Sequence, residues 1–151
     1  MAKKALITGI AGFVGSHLAE LLLEKGYEVY GLSRPRTKMD HIEGIKNQLH
    51  LEDADLLDTH SLYPLISRIQ PDYIFHLAAQ SFVPTSWVSP SVTLEVNIVG
   101  SANLFEAVRQ AKLDPVIQIA CSSEEYGLVY ENELPIKETN PLRPLSPYAV
   151  S

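Results

Sequence analysis

The chain has 151 residues, 46% hydrophobic and 20% charged, which suits one globular domain with a single core. Its net charge of −6 offers no broad basic field for nucleic acid, and no apolar run approaches membrane-spanning length. The lone cysteine, Cys121, cannot form an internal disulfide and suits a reducing cytoplasm, while the histidines at 17, 41, 50, 60 and 76 lack metal-ligand spacing, so no metal is expected.

The N-terminus, Met1-Ala2-Lys3-Lys4, leads straight into residues 4–8, which read as a buried strand with no signal region before it. Residues 13–25 read as a helix with Val14, Leu18, Leu21 and Leu22 on its inner face, ended by Gly26. Residues 28–32 form a second strand, and 48–51 a short third one that closes at Asp53-Ala54-Asp55-Leu56. The next helix turns Leu62, Leu65, Ile66 and Ile69 inward; Pro64 belongs in its first turn, which makes Ser61 the expected cap. Residues 72–77 form the fourth strand, 91–112 a long helix, and 116–120 the fifth strand. Strands alternating with helices predict an α/β fold, a doubly wound parallel sheet with right-handed crossovers. Ligands of such sheets gather at the carboxyl ends of the strands.

The first strand runs into Thr8-Gly9-Ile10-Ala11-Gly12-Phe13-Val14-Gly15 and then into a helix. A first glycine can take φ > 0 at the turn, a second lets backbone approach a pyrophosphate, and a third packs helix on strand. The helix start adds free N–H groups and a positive dipole end. Gly9, Ile10, Gly12, Phe13, Val14 and Gly15 are therefore expected around a dinucleotide. After the second strand, Ser33-Arg34-Pro35-Arg36 replaces the acidic residue that would select NAD, so Ser33, Arg34 and Arg36 point to NADP, with NAD possible; the other reading is a solvated basic loop. Asp55-Leu56 is placed to meet an adenine ring, although a lone aspartate also serves as a turn residue. Leu77, Ala78 and Ala79 leave room for the dinucleotide, and Ser81 either bonds a substrate hydroxyl or caps a turn. His76 reads as a satisfied core histidine and Asn97 as a residue that holds its helix in place. After the fifth strand comes Ser122-Ser123-Glu124, and 26 positions beyond Ser122 comes Tyr148, a hydroxyl and a phenol able to polarise a substrate alcohol.

Together, the glycine pattern at 8–15, Asp55-Leu56, His76-Leu77-Ala78-Ala79, Asn97 and the Ser122/Tyr148 pair resemble the extended short-chain dehydrogenase/reductase family of nucleotide-sugar epimerases and dehydratases. The resemblance implies an NAD(P)-binding Rossmann fold and a tyrosine within a Tyr-x-x-x-Lys motif, whose lysine would stand at position 152. It implies that residues 1–151 are the incomplete N-terminal domain of a longer, homo-oligomeric enzyme, its last strands and substrate domain lying beyond, and that this stretch alone is inactive. Ser122-Ser123-Glu124 is similar to the Thr/Ser-Ser-Glu element of GDP-mannose 4,6-dehydratases, which implies a GDP-hexose substrate held by Ser81, Ser122, Ser123 and Glu124. Catalysis would rest on Ser122, Glu124 as the base at C5, and Tyr148, which also touches the cofactor. Two departures stand against this: Phe13-Val14 where those enzymes commonly have Gln-Asp, and Leu145 where many have Arg. Phe13-Val14 and Leu142-Arg143-Pro144 are also similar to GDP-4-keto-6-deoxymannose reductases, which need no base at C5. A non-catalytic dinucleotide-binding module is the alternative of another class.

Overall fold

A computed structural model describes residues 2–151. Five parallel strands, β1 (Lys4–Thr8), β2 (Glu28–Ser33), β3 (His50–Asp53), β4 (Tyr73–His76) and β5 (Val116–Ile119), form one sheet in the order β3-β2-β1-β4-β5. The order reverses beside β1, so the first turn opens at the point where the crossovers diverge to the two faces. Alternation in β1 serves both faces. Leu6 joins Leu62, Ile66, Ile74 and Leu104 under the helices α2 (Thr59–Ile69) and α5 (Gly100–Gln110), while Ala5 and Ile7 join Ile10, Ala19, Leu22, Val29 and Ile42 under α1 (Phe13–Glu24). Each fully buried Leu or Ile contributes about 1.5–3 kcal/mol.

In α1 the inner face is Gly15, Ser16, Ala19 and Leu22, with Leu18 half-buried, whereas Val14 and Leu21 are exposed. The expected stripe therefore lies off by part of a turn, because the small residues are the ones that let α1 sit close on β1. Gly26, at φ +76°, closes the helix as expected: its N–H donates to Leu23 C=O and that of Tyr27 to Leu22 C=O. β3 starts two residues later than expected, because Lys46–Gln48 forms a 3-10 turn and pairing begins only at His50 opposite Tyr30.

The four inward residues of α2 are all buried, but its cap is Asp58 rather than Ser61. The Asp58 carboxylate accepts from His60 N–H at 3.1 Å, so the helix starts earlier and Pro64 stands in its sixth position. Pro64 is exposed, and water can satisfy the carbonyl it leaves free. Asp58→Ala is expected to lower stability by about 1 kcal/mol and Ser61→Ala by much less, in paired urea unfolding curves.

The segment expected as one long helix is divided. α4 (Pro90–Leu94) runs into a five-residue π-turn, Glu95–Val99, and then into α5. A π-turn inserts one extra residue and re-aims what it carries, here turning Asn97 inward to 8% exposure. A further short helix, α3 (Val83–Val88), precedes α4, and α6 (Pro147–Val150) packs against both. Among the described residues, no helix is long and apolar enough to cross a membrane.

Candidate active site

The glycine turn crosses the carboxyl end of β1. Gly9 adopts φ +73°, and a Cβ there would stand 3.0 Å from Ala78 N. A Cβ at Gly15 would lie 2.4 Å from Gly9 O and 2.8 Å from Ile10 Cα, backbone that cannot step aside. Gly12 precedes α1 in an extended conformation with no capping side chain, so the first N–H groups of α1 stay open at the cleft. Ile10 turns its side chain away from the cleft into the core, filling the space a Cβ would take on Gly31.

The cleft above the turn has a volume of about 740 Å³. It brings together Gly9, Gly12, Phe13, Val14 and Gly15 with Ser33 at the end of β2 and Arg34 after it, Asp55 and Leu56 after β3, and Leu77, Ala78, Ala79 and Ser81 after β4. Arg36 is not among the residues lining it; it stands on the exposed loop at φ +66°. The Asp55 carboxylate accepts from Leu57 N–H at 3.0 Å, so it builds its own turn while lining the cleft. Phe82, Val92 and Val96 line the cleft as well and went unnoticed in the sequence. The four-residue spacing of the two valines was the only signal for them, and Phe82 had none. The Ser33 hydroxyl is buried and finds no hydrogen-bond partner. An orphaned hydroxyl, a side-chain-free cradle and open helix N–H groups fit a phosphate-bearing dinucleotide.

Ser122, Ser123, Glu124 and Tyr148 do not line this cleft; Ala120, just after β5, does. The Ser122 hydroxyl accepts from Glu124 N–H at 3.2 Å and caps the 3-10 turn Ser123–Glu125, which leaves the Glu124 side chain exposed. Among the described residues, no ion pair or side-chain hydrogen bond engages the Glu124 carboxylate. α6 packs against this turn, which brings the half-buried Tyr148 to the same edge of the sheet. The Ser146 hydroxyl caps α6 by accepting from Ala149 N–H at 3.0 Å.

The loop joining the two pieces is pinned at both ends. Leu128 N–H donates to Arg143 C=O and Arg143 N–H to Tyr126 C=O, and Gly127 lies between at φ +52°, where a Cβ would overlap Arg143 O. The Arg143 guanidinium makes paired bonds of 2.8 and 2.7 Å to Glu133, donates to Leu128 C=O, and covers the Tyr130 ring. Arg143 holds the Glu133 carboxyl down at about 2. The unfolded chain takes up this proton at the ordinary value, so the stabilisation is complete above that value and is lost as pH falls through about 2. Glu133→Gln is expected to remove that part of the acid-unfolding slope, followed by tyrosine fluorescence.

His76 is buried and fully bonded, as expected, and burial lowers its pKa. No group of three or more potential metal ligands is found among the described residues.

The sequence profile of a family described as GDP-mannose 4,6 dehydratase matches residues 6–151. A GDP-mannose 4,6-dehydratase of Yersinia enterocolitica is 46% identical across 99% of this chain, and the human protein of that description is 40% identical across 97%. The chain spans only 42% of the length of each. Among solved structures, a UDP-glucose 4-epimerase of Thermus thermophilus in complex with NAD superposes with a TM-score of 0.84 at 36% identity, over 97% of this chain and 46% of that one. The UDP-glucose 4-epimerase of Thermotoga maritima with UDP-glucose gives 0.87 at 29%, over 97% and 47%.

Proposed function

The chain belongs to the GDP-mannose 4,6-dehydratase family, and from that premise we propose that it is the dinucleotide-binding domain of an NADP-dependent GDP-hexose 4,6-dehydratase. The reading rests above all on Glu124, an unpaired carboxylate on the turn that Ser122 caps and the Tyr148 helix abuts. Gly9, Gly12 and the start of α1 would hold the pyrophosphate, Ser33 and Arg34 the 2′-phosphate, and Asp55 the adenine. Hydride acceptance and return are the chemistry that the bound dinucleotide supplies. Tyr148 takes the proton of the sugar 4-hydroxyl, and Ser122 donates a hydrogen bond to that oxygen as its charge grows. The 4-ketone acidifies the C5 proton, which Glu124 removes as water leaves C6. A 4-reductase would need Ser122 and Tyr148 but would give Glu124 no proton to take.

The substrate domain lies outside these residues in this reading. The whole enzyme is a homo-oligomer in the cytoplasm, where a single thiol such as Cys121 stays reduced. The test supplies GDP-mannose to the full-length protein. Consumption with no net change in nicotinamide absorbance is expected. Oxidation of NADPH only when a 4-keto sugar is added would establish a reductase instead. The 151-residue chain by itself is expected to bind NADPH without turnover, and turnover by it would overturn the domain division.

A further inference from the structure

Two runs of hydrogen bonds, joined through Asn97, connect the glycine turn to the tyrosine helix, and His76 stands second in the first of them, next to Thr8. The Thr8 hydroxyl, immediately before Gly9, accepts from Leu77 N–H and Ala78 N–H, both at 3.1 Å. With its lone pairs occupied, it has only its proton left to give, and His76 Nδ1 lies 2.8 Å away to accept it. The ring is thereby fixed as neutral with the proton on Nε2, which donates to Ser101 Oγ at 2.9 Å. The Ser101 hydroxyl donates its own hydrogen bond to Asn97 C=O, inside the π-turn. The Asn97 amide accepts from Gln80 N–H at 2.7 Å and donates to Gln80 C=O and to Ser151 Oγ at 3.2 and 2.8 Å. Ser151 in turn donates to Tyr148 C=O at 2.7 Å. Leu77 N–H is shared between the Thr8 hydroxyl and Thr8 C=O, at 3.1 and 3.3 Å, whereas Ala78 N–H donates to the hydroxyl. With both N–H groups on that oxygen, the arrangement in which Thr8 donates to His76 satisfies the polar atoms of the ring.

We propose that His76 is a positioning residue whose neutral, Nε2-protonated ring registers the Tyr148 helix against the dinucleotide turn through Ser101, Asn97 and Ser151. It touches neither substrate nor cofactor. The ring faces Thr8 from β1, Ser101 and Phe105 from α5, and its register neighbour Ile119 from β5. None of these can titrate, so no ionic partner favours a charged ring. A proton on Nδ1 would point at a Thr8 oxygen that already accepts two N–H groups, and Leu77 would have to turn wholly to Thr8 C=O or Ala78 would have to let go. The strand end beneath the cleft and the tyrosine helix would then shift together. The assignment rests on the catalytic role of Tyr148 given above only for its consequence; the coupling itself is independent of substrate.

The test is NMR on the 151-residue protein with 15N-labelled histidine and 13C-labelled tyrosine rings, Tyr148 being assigned through Tyr148→Phe. At neutral pH, His76 is expected to be neutral with its proton on Nε2; a proton on Nδ1 overturns the proposal. Ser101→Ala is expected to shift the Tyr148 ring signals, while Phe105→Leu, which packs on the same ring outside the run, is expected to leave them in place. On acidification, the Tyr148 signals are expected to move with the His76 midpoint in the parent and to ignore it in Ser101→Ala. Where acid unfolding comes first, the Ser101→Ala comparison at neutral pH decides, and unmoved Tyr148 signals overturn the proposal. None of these readouts uses GDP-mannose, so failure here leaves the dehydratase reading standing. A full-length protein that lacks dehydratase activity would likewise leave the coupling intact.

Discussion

Gly15→Ala is expected to abolish NADPH binding and to cost about 1–3 kcal/mol of stability, because a methyl group there must displace backbone. The three nearest atoms all belong to Gly9 and Ile10, the residues that shape the phosphate cradle, at 2.4–2.9 Å. No side chain can rotate to absorb the clash, so α1 must lift off β1 and its N–H groups leave the phosphate position with it. The comparison variant is Gly26→Ala. Its φ of +76° makes alanine costly by about 1 kcal/mol, yet nothing lies within 4 Å of the added methyl and the cleft is remote. Fluorescence titration with NADPH and thermal melts on both variants separate cradle from fold. Wild-type affinity in Gly15→Ala would remove the glycine turn from the binding site.

The second large effect concerns the carbon acid. In the full-length enzyme, Glu124→Gln keeps the shape of the turn that Ser122 caps but removes the carboxylate proposed as the base, and turnover is expected to fall by about 10²–10⁴-fold. The loss is specific: deuterium from solvent should no longer enter C5, while the 4-ketone still forms. Tyr148→Phe should act one step earlier, with no 4-ketone at all. If Glu124→Gln still exchanges C5 and loses water from C6, Glu124 is a surface carboxylate and another group is the base.

The sheet was legible because β1, β2, β4 and β5 are short apolar runs separated by helical periods, and the inward set of α2 needed only its 3.6-residue spacing. The places that misled were those where a local signal met a stronger neighbour. Pro64 looked like a first-turn residue, yet the Asp58 carboxylate captured the helix start and left the proline on the solvent side. Val14 and Leu21 looked like core, but the close seat of α1 on β1 uses Gly15, Ser16 and Ala19 instead. The π-turn had no signal, since its extra residue is held by contacts to Gln80 and Ser151 from elsewhere in the chain.

Family membership and the glycine turn needed nothing beyond the order of residues, because a strand, three glycines and a helix are contiguous and their geometry is local. What folding alone decided is everything joined across distance. Arg36 was left outside the cleft, Ser33 was buried with its hydroxyl unpaired, and Thr8, His76 and Ser101 were linked by hydrogen bonds to Asn97, whose side chain reaches on to Ser151. Periodicity reports which face of an element is apolar, but a buried polar atom takes its partner from whichever element packs beside it, and that choice exists only once the layers have closed.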